Sequence, residues 1–302
     1  MIEAFKRELD CPAEQLAWYP EEPMSRHTSF RVGGPAELLL SPKSEQAVCS
    51  VVRAANKIGA PLTVLGNGSN VLVKDEGLRG VVLCLGADYS AIRTEGTRIE
   101  AQTGALLSTL ATEACRAGLT GLEFAGGIPG SLGGALFMNA GAYDGQTANV
   151  VVSARYYDAQ NDTIGVLSNQ ALAFDYRTSI LKSHPEWIAL SAVMQLEQGD
   201  TEMIRAKMDL FARRRREKQP LNYPSAGSTF KRPAGYFAGK LIQDAGLMGY
   251  TVGGAQVSQK HAGFVVNTGG ATCADVLAVI AHVQQEVLRQ FGVELEPEVR
   301  ML

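Results

Sequence analysis

The sequence lacks the patterns that build a metal or disulfide framework. Its five cysteines, at 11, 49, 84, 115 and 273, are odd in number and no two are close. There is no CxxC and no finger spacing, so reduced, mostly buried thiols are expected. The four histidines, at 27, 184, 261 and 282, form no HxxxH pair, and no metal is expected. Long apolar runs are missing too. Val81 to Leu85 is typical of the longest, far short of the ~20 residues that a membrane helix needs. The opening MIEAFKRELD is charged and amphipathic and has no apolar signal core, so the cytoplasm is the expected compartment. An excess of basic charge is also absent. Lys plus Arg number 28 against 31 for Asp plus Glu, a net charge of −3, which weighs against a generic nucleic-acid binder.

What remains is an ordinary folded chain. It has 302 residues, 46% hydrophobic and 20% charged, enough for two or three domains. Residues 1–25 read as a short helix followed by a turn-rich linker with Pro12, Pro20 and Pro23. An alternating unit follows: a strand at 36–40, a helix at 44–58 stopped by Gly59, and short strands at 62–65, 71–73 and 81–85. Next come a strand at 98–102, a helix at 106–117 and antiparallel strands at 150–158, 163–167 and 188–196. A helix at 201–218 turns Ile204, Met208 and Phe211 inward. The last helix carries a Thr272/Asp275 capping box, a stripe of Val276, Ile280, Val283 and Val287, and Gly292 as its stop. The expected division is 1–86, 87–200 and 201–302.

Glycine is plentiful, 32 residues, and clustered. Gly66-Asn67-Gly68-Ser69-Asn70 lies between two strands. It reads either as a backbone nest for a phosphate or as a tight hairpin turn. It is neither a dinucleotide fingerprint nor a P-loop, because Val71 and a strand follow. The run from Gly126 through Gly127-Ile128-Pro129-Gly130-Ser131-Leu132-Gly133-Gly134 has five glycines in nine residues. It is expected to exclude a regular helix or strand and, with its apolar flanks, to pack as a buried loop against a large flat ligand. It continues to Asn139-Ala140-Gly141-Ala142-Tyr143. Three further motifs follow: Tyr176-Arg177-Thr178-Ser179, the basic run Arg213–Arg216 ending in Lys218, and a small-residue segment around Ser228. Arg177 by itself reads first as a surface charge, and the basic run reads equally as a favourable helix end or as capture of an anionic group such as a diphosphate. The tail Glu294–Arg300 alternates like an exposed edge strand.

Taken in order, GNGSN, GIPGSLGGALFMNAGAY, YRTS, RRRREKQP, PSAGSTFK and LEPEVR resemble the UDP-N-acetylenolpyruvoylglucosamine reductase family, from about Thr28 to Arg300. The resemblance implies an α+β fold: two subdomains that cradle FAD in the manner of the vanillyl-alcohol-oxidase (PCMH) type, then a C-terminal α+β substrate domain. It implies NADPH as reductant and UDP-N-acetylglucosamine enolpyruvate as substrate. It places Arg177 at the substrate carboxylate, Ser228 as proton donor, with Lys231 a candidate to assist, and Glu298, not Glu296, as second catalytic acid. It assigns FAD to Gly66, Asn67, Gly68, Ser69 and Asn70 and to Gly127, Ile128, Pro129, Gly130, Gly133, Gly134, Asn139 and Gly141. Tyr143, Lys218 and His261 are candidates for the UDP-sugar. The short tract after Tyr176 and the stretch just past Glu298 look like the shorter subtype, without the insert that carries a substrate-clamping tyrosine. Asp144 stands where many relatives have glycine. Two alternatives stay open: an alcohol or lactone oxidase, disfavoured because neither glycine loop holds a histidine to tether flavin, and a non-catalytic nucleotide-sugar binder.

Overall fold

The computed structural model describes residues 1–143 and 145–302; Asp144 lies outside the described residues. The chain forms two compact units. The first comprises Met1–Pro20, Leu38–Asn67 and Gly80–Arg214, and the second Glu21–Glu37, Gly68–Arg79 and Arg215–Leu302. Seven α-helices are described: α1 (Ile2–Glu8), α2 (Glu45–Ile58), α3 (Leu107–Arg116), α4 (Leu132–Met138), α5 (Thr201–Lys218), α6 (Ala238–Asp244) and α7 (Cys273–Phe291). Among the described residues, no helix is long and apolar enough to cross a membrane.

In the first unit a four-stranded sheet runs in the order Leu16–Pro23, Pro35–Pro42, Leu78–Cys84, Leu62–Leu65. The last two strands are parallel, with Leu62 opposite Val81. Helix α2 is well bounded. The Ser44 hydroxyl accepts from the Ala47 amide, and Gly59 takes the left-handed conformation at φ 67°. Its Val48, Val51, Val52 and Ala55 pack with Leu38, Leu40, Val81 and Leu83 into one core. A second sheet, all antiparallel, runs Thr163–Ser168, Val151–Asp158, Trp187–Gln195, Arg98–Gln102, Ile92–Glu95. Helix α3 lays Leu107, Leu110, Ala111 and Ala114 on the core that this sheet shares with α4.

Two expectations fail in this unit. Leu16–Pro23 is a strand and not a turn-rich linker. It lies at the edge of its sheet, where Pro20 and Pro23 need not donate to a neighbour. The glycine run does contain a regular helix, because α4 starts at Leu132 and includes Gly133 and Gly134. At Gly133 the glycine answers to packing: a Cβ there would lie 3.1 Å from that of Thr103. Of the expected inward face of α5, Ile204 is buried and Met208 and Phe211 are half-buried.

The second unit packs α6 and α7 with a three-stranded antiparallel sheet, Thr251–Val252, Ala255–Val257, Val265–Asn267. The stripe Val276, Ile280, Val283, Val287 is buried as its spacing predicts. Each such side chain contributes ~1.5–3 kcal/mol as an upper estimate, so burial outweighs any single cap. The core also takes Phe30, Val32 and Leu72 from the two short segments. The tail is an exposed edge strand only at Arg300–Met301. Arg300–Met301 pairs in parallel with Val71–Leu72, and Pro297 forms an antiparallel bridge with Phe230. The buried Leu295 and Val299 hold it inward.

The α7 N-terminus is closed twice. The capping box forms between Thr272 and Asp275. The Asp75 carboxylate also accepts from the amides of Cys273 (2.7 Å) and Ala274 (3.0 Å). Asp75→Ala is expected to cost about 1–2 kcal/mol through the lost cap and charge–dipole attraction. Urea unfolding checks this, and an unchanged midpoint would mean that the box alone suffices.

Candidate active site

On the first unit, the end of the strand Leu62–Leu65 meets the second glycine loop. A Cβ on Gly66 would lie 2.3 Å from Ser131 Oγ, so a side chain there would push that hydroxyl aside. Asn67 Nδ2 donates to the Pro129 carbonyl at 2.5 Å. The loop is fixed along residues 103–107. Leu107 N–H donates to Gly130 O, Leu132 N–H to Ala105 O, and Gly133 N–H to Thr103 O. Thr103 is itself buried and donates its hydroxyl to Ala189 O. This loop is therefore a fixed wall and not a free linker.

Two features of the wall fit a bound cofactor. Ser131 is 1% exposed, yet its Oγ has no hydrogen-bond partner among the described residues. A buried hydroxyl is costly unless something satisfies it. Gly134, one turn into α4, has open space where its Cβ would be. A polar atom without a partner beside a small-residue gap suits the phosphate or ring edge of a dinucleotide. Ser131 escaped the sequence reading. Its signal was a lone hydroxyl directly after Pro129-Gly130, at the start of an apolar helix.

The candidate residues further along divide between structural and exposed positions. Asn139 ends α4 in the left-handed conformation, φ 42°, and is 3% exposed. Gly141 pairs with Gln146 in a two-residue ladder, Gly141–Ala142 with Gly145–Gln146. Tyr143, at φ 50°, stacks on Phe211 with ring centroids 4.4 Å apart and donates its hydroxyl to Phe211 O. Arg177 sits near the tip of a tight turn. Asp175 and Thr178 exchange both backbone bonds across it, and Arg177 takes φ 56°. Its guanidinium lies 5.3 Å from the Tyr176 ring centroid. A left-handed conformation on a non-glycine residue is unfavourable, and such positions concentrate at functional sites.

On the second unit, Ser228 is exposed between Gly227, at φ 78°, and the buried Thr229. Thr229 is held on three sides. Its amide donates to Gly263 O, its hydroxyl accepts from Val265 N–H, and its carbonyl accepts from Glu298 N–H at 2.8 Å. Ser228 and Glu298 are thus brought to neighbouring segments whose spacing is set by backbone bonds. Asn70 pins the tail on both sides of Val299: its amide donates to Glu298 O and its carbonyl accepts from Arg300 N–H. Lys231 is paired with Glu296. Gly68, at φ 59°, would drive a Cβ to 1.9 Å from the His27 carbonyl oxygen. His261 Nδ1 accepts from Gly263 N–H. Burial, with a further push from the Lys218 charge and against a backbone hydrogen bond, holds its imidazole below the usual histidine range. Lys218 and His261 are therefore close enough to feel each other, while among the described residues Ser69 and Lys218 have no hydrogen bond or ion pair that fixes a role.

Comparison with known proteins then places this geometry. A model of the FAD-binding domain matches residues 36–166, and a model of the UDP-N-acetylenolpyruvoylglucosamine reductase C-terminal domain matches residues 219–302. The chain is 52% identical over 284 residues to the UDP-N-acetylenolpyruvoylglucosamine reductase of Caldanaerobacter subterraneus, covering 94% of this chain and 93% of that one. It is 50% identical over 282 residues to that of Clostridioides difficile, covering 93% and 92%. The crystal structure of the reductase from Thermus caldophilus superposes with a TM-score of 0.80 at 33% identity, over 95% of this chain and 98% of that one. The fold is therefore α+β, an FAD-binding domain followed by a C-terminal domain of the reductase type, and the chain is an FAD-dependent oxidoreductase. It belongs to the UDP-N-acetylenolpyruvoylglucosamine reductase family.

Proposed function

We propose that this chain uses NADPH to reduce UDP-N-acetylglucosamine enolpyruvate to UDP-N-acetylmuramate, a peptidoglycan precursor, in the cytoplasm. The observation that most supports this is the company kept by the reductase-like sequence. Arg177 stands on a strained turn, and Ser228 and Glu298 lie on backbone-paired segments. By role, residues 1–86 and 87–200 are assigned to the cofactor and 201–302 to the substrate.

FAD, when bound, supplies hydride chemistry that side chains lack. Gly66, Asn67, Gly127, Ile128, Pro129, Gly130, Gly133 and Gly134 would hold it, with the buried Ser131 hydroxyl as an added partner and Gly68, Ser69 and Asn70 continuing the loop. Asn139 and Gly141 would shape its far end. The reaction adds a hydride to the terminal carbon of the enol ether and a proton to the carbon that bears the carboxylate. Negative charge grows on that carboxylate as the hydride adds. Arg177 presents a planar guanidinium to it and lowers the barrier by charge stabilisation. Ser228 gives the proton. An alkoxide forms on Ser228 as it does so, and nearby donors must stabilise it, because a serine hydroxyl is a poor acid. Glu298 assists as the second acid. Tyr143, Lys218 and His261 bind the UDP-sugar, Lys218 by charge to its diphosphate.

The test is an absorption spectrum of the purified protein under anaerobic conditions. The expected result is flavin bands that bleach with NADPH and return with the enolpyruvyl sugar. Bands that bleach and stay bleached would keep the flavoenzyme and discard the substrate.

A further inference from the structure

We propose that Asn139 is a positioning residue for Arg177. The proposal rests on the reading of Arg177 as the group that meets the substrate carboxylate. Asn139 is buried, and its side-chain amide is fully used. Oδ1 accepts from Ala148 N–H at 3.0 Å. Nδ2 donates to Gln146 Oε1 at 3.1 Å and to the Asp175 carbonyl at 3.1 Å. That carbonyl is the base of the Arg177 turn, because it also accepts from Thr178 N–H. The turn is closed further by Asp175 Oδ1, which accepts from Tyr176 N–H at 2.7 Å. On the far side, buried Ser179 donates its hydroxyl to Phe137 O. The C-terminal end of α4 therefore grips the turn at both feet, at 175 and at 179, and Arg177 stands between them.

A plain helix-ending role explains only part of this. Asparagine is common in the left-handed position after a helix, and there the backbone N–H of Asn139 already bonds Ala135 O. That role needs the backbone conformation and not an amide aimed 36 residues along the chain. The strained Arg177 needs a reason to stay at φ 56°, and a turn fixed from outside supplies it. The α4 segment that ends in Asn139 begins beside the Gly130–Ser131 wall of the cofactor cradle. The same short helix thus sets the wall at one end and the carboxylate-binding arginine at the other. The reacting carbon requires both in register.

Asn139→Asp removes the donor. It keeps the shape and the acceptor for Ala148, but it also takes a donor from Gln146, whose side chain still accepts from Asn149 N–H. The contact with the Asp175 carbonyl becomes repulsive. The flavin-loaded N139D enzyme is expected to melt lower, because a carboxylate is buried among acceptors, so its two half-reactions are compared per bound flavin. Its single-turnover reoxidation by the enolpyruvyl sugar is expected to fall roughly 10- to 100-fold, the scale of a catalytic group misplaced by about 1 Å. Calorimetric affinity for UDP-N-acetylmuramate should weaken with it. In an Arg177→Ala background, N139D should add nothing further, because the residue acts through the missing guanidinium. Independent, multiplying losses in the double variant would overturn the proposal, as would wild-type reoxidation by N139D. If R177A alone leaves reoxidation and product affinity unchanged, the reading of Arg177 fails instead. Asn139→Gly, which adopts the left-handed conformation freely, is the second variant. Loss of folding or of flavin in both would make Asn139 structural and end the proposal.

Discussion

A Ser228→Ala enzyme is expected to be reduced by NADPH at the wild-type rate and then to stall. Turnover with the enolpyruvyl sugar should drop by ~10²–10⁴-fold, the usual worth of a placed proton donor. The change should cost little stability, because Ser228 is exposed and the anchoring bonds belong to Thr229. Stopped-flow absorbance separates the two half-reactions. Turnover at the wild-type rate would remove Ser228 from the mechanism. Slow reduction as well as slow turnover would mean that the substitution disturbs the cofactor, which the geometry gives no reason to expect.

The second large effect has opposite signs in the same molecule. Gly134 lies inside α4, and a methyl there meets nothing within 4 Å. Gly134→Ala should therefore stabilise the flavin-free protein by about 0.5–1 kcal/mol through helix propensity alone. If that space belongs to FAD, the same methyl should cost ~1–3 kcal/mol in the loaded enzyme by overpacking. That corresponds to roughly 5- to 150-fold weaker flavin binding. Melting curves of the flavin-free protein and flavin titration measure the two effects separately. A variant that is more stable and binds flavin normally would move the cofactor off this helix.

Local signals were the readable part of this chain. The Ser44 and Thr272 caps, the stops at Gly59 and Gly292 and the stripe along α7 depend on residues within a few positions of one another, so pattern alone located them. The two glycine loops stood out by composition, and the structure shows Gly66, Gly68 and Gly133 closely approached by Ser131, His27 and Thr103. Other features were hidden because their cause is distant in sequence. The strand at Leu16–Pro23 holds its prolines only because it is a sheet edge, a fact about its neighbours. Arg177 takes a glycine-like conformation with no glycine to announce it. Ser131 becomes notable only when Gly66 is set against it. The tail looked like an edge strand because its alternation is real, but its partners lie at 70–72 and 229–231.

The second unit is assembled from three separate stretches, and this has a consequence for how the protein is made. Phe30, Val32 and Leu72 belong to its core, and Asp75 closes its longest helix. These residues leave the ribosome early. Their partners in Arg215–Leu302 follow only after the whole of Gly80–Arg214. At ~5–20 residues per second, that is a wait of very roughly 10–30 s. During that time Phe30, Val32 and Leu72 have no core to enter, so the nascent chain carries apolar segments that a chaperone can hold. Residues 219–302 cut out on their own would lack the same three side chains and the Asp75 cap. Residues 219–302 are thus not a complete unit of packing, and a later stretch completes a core that earlier stretches began.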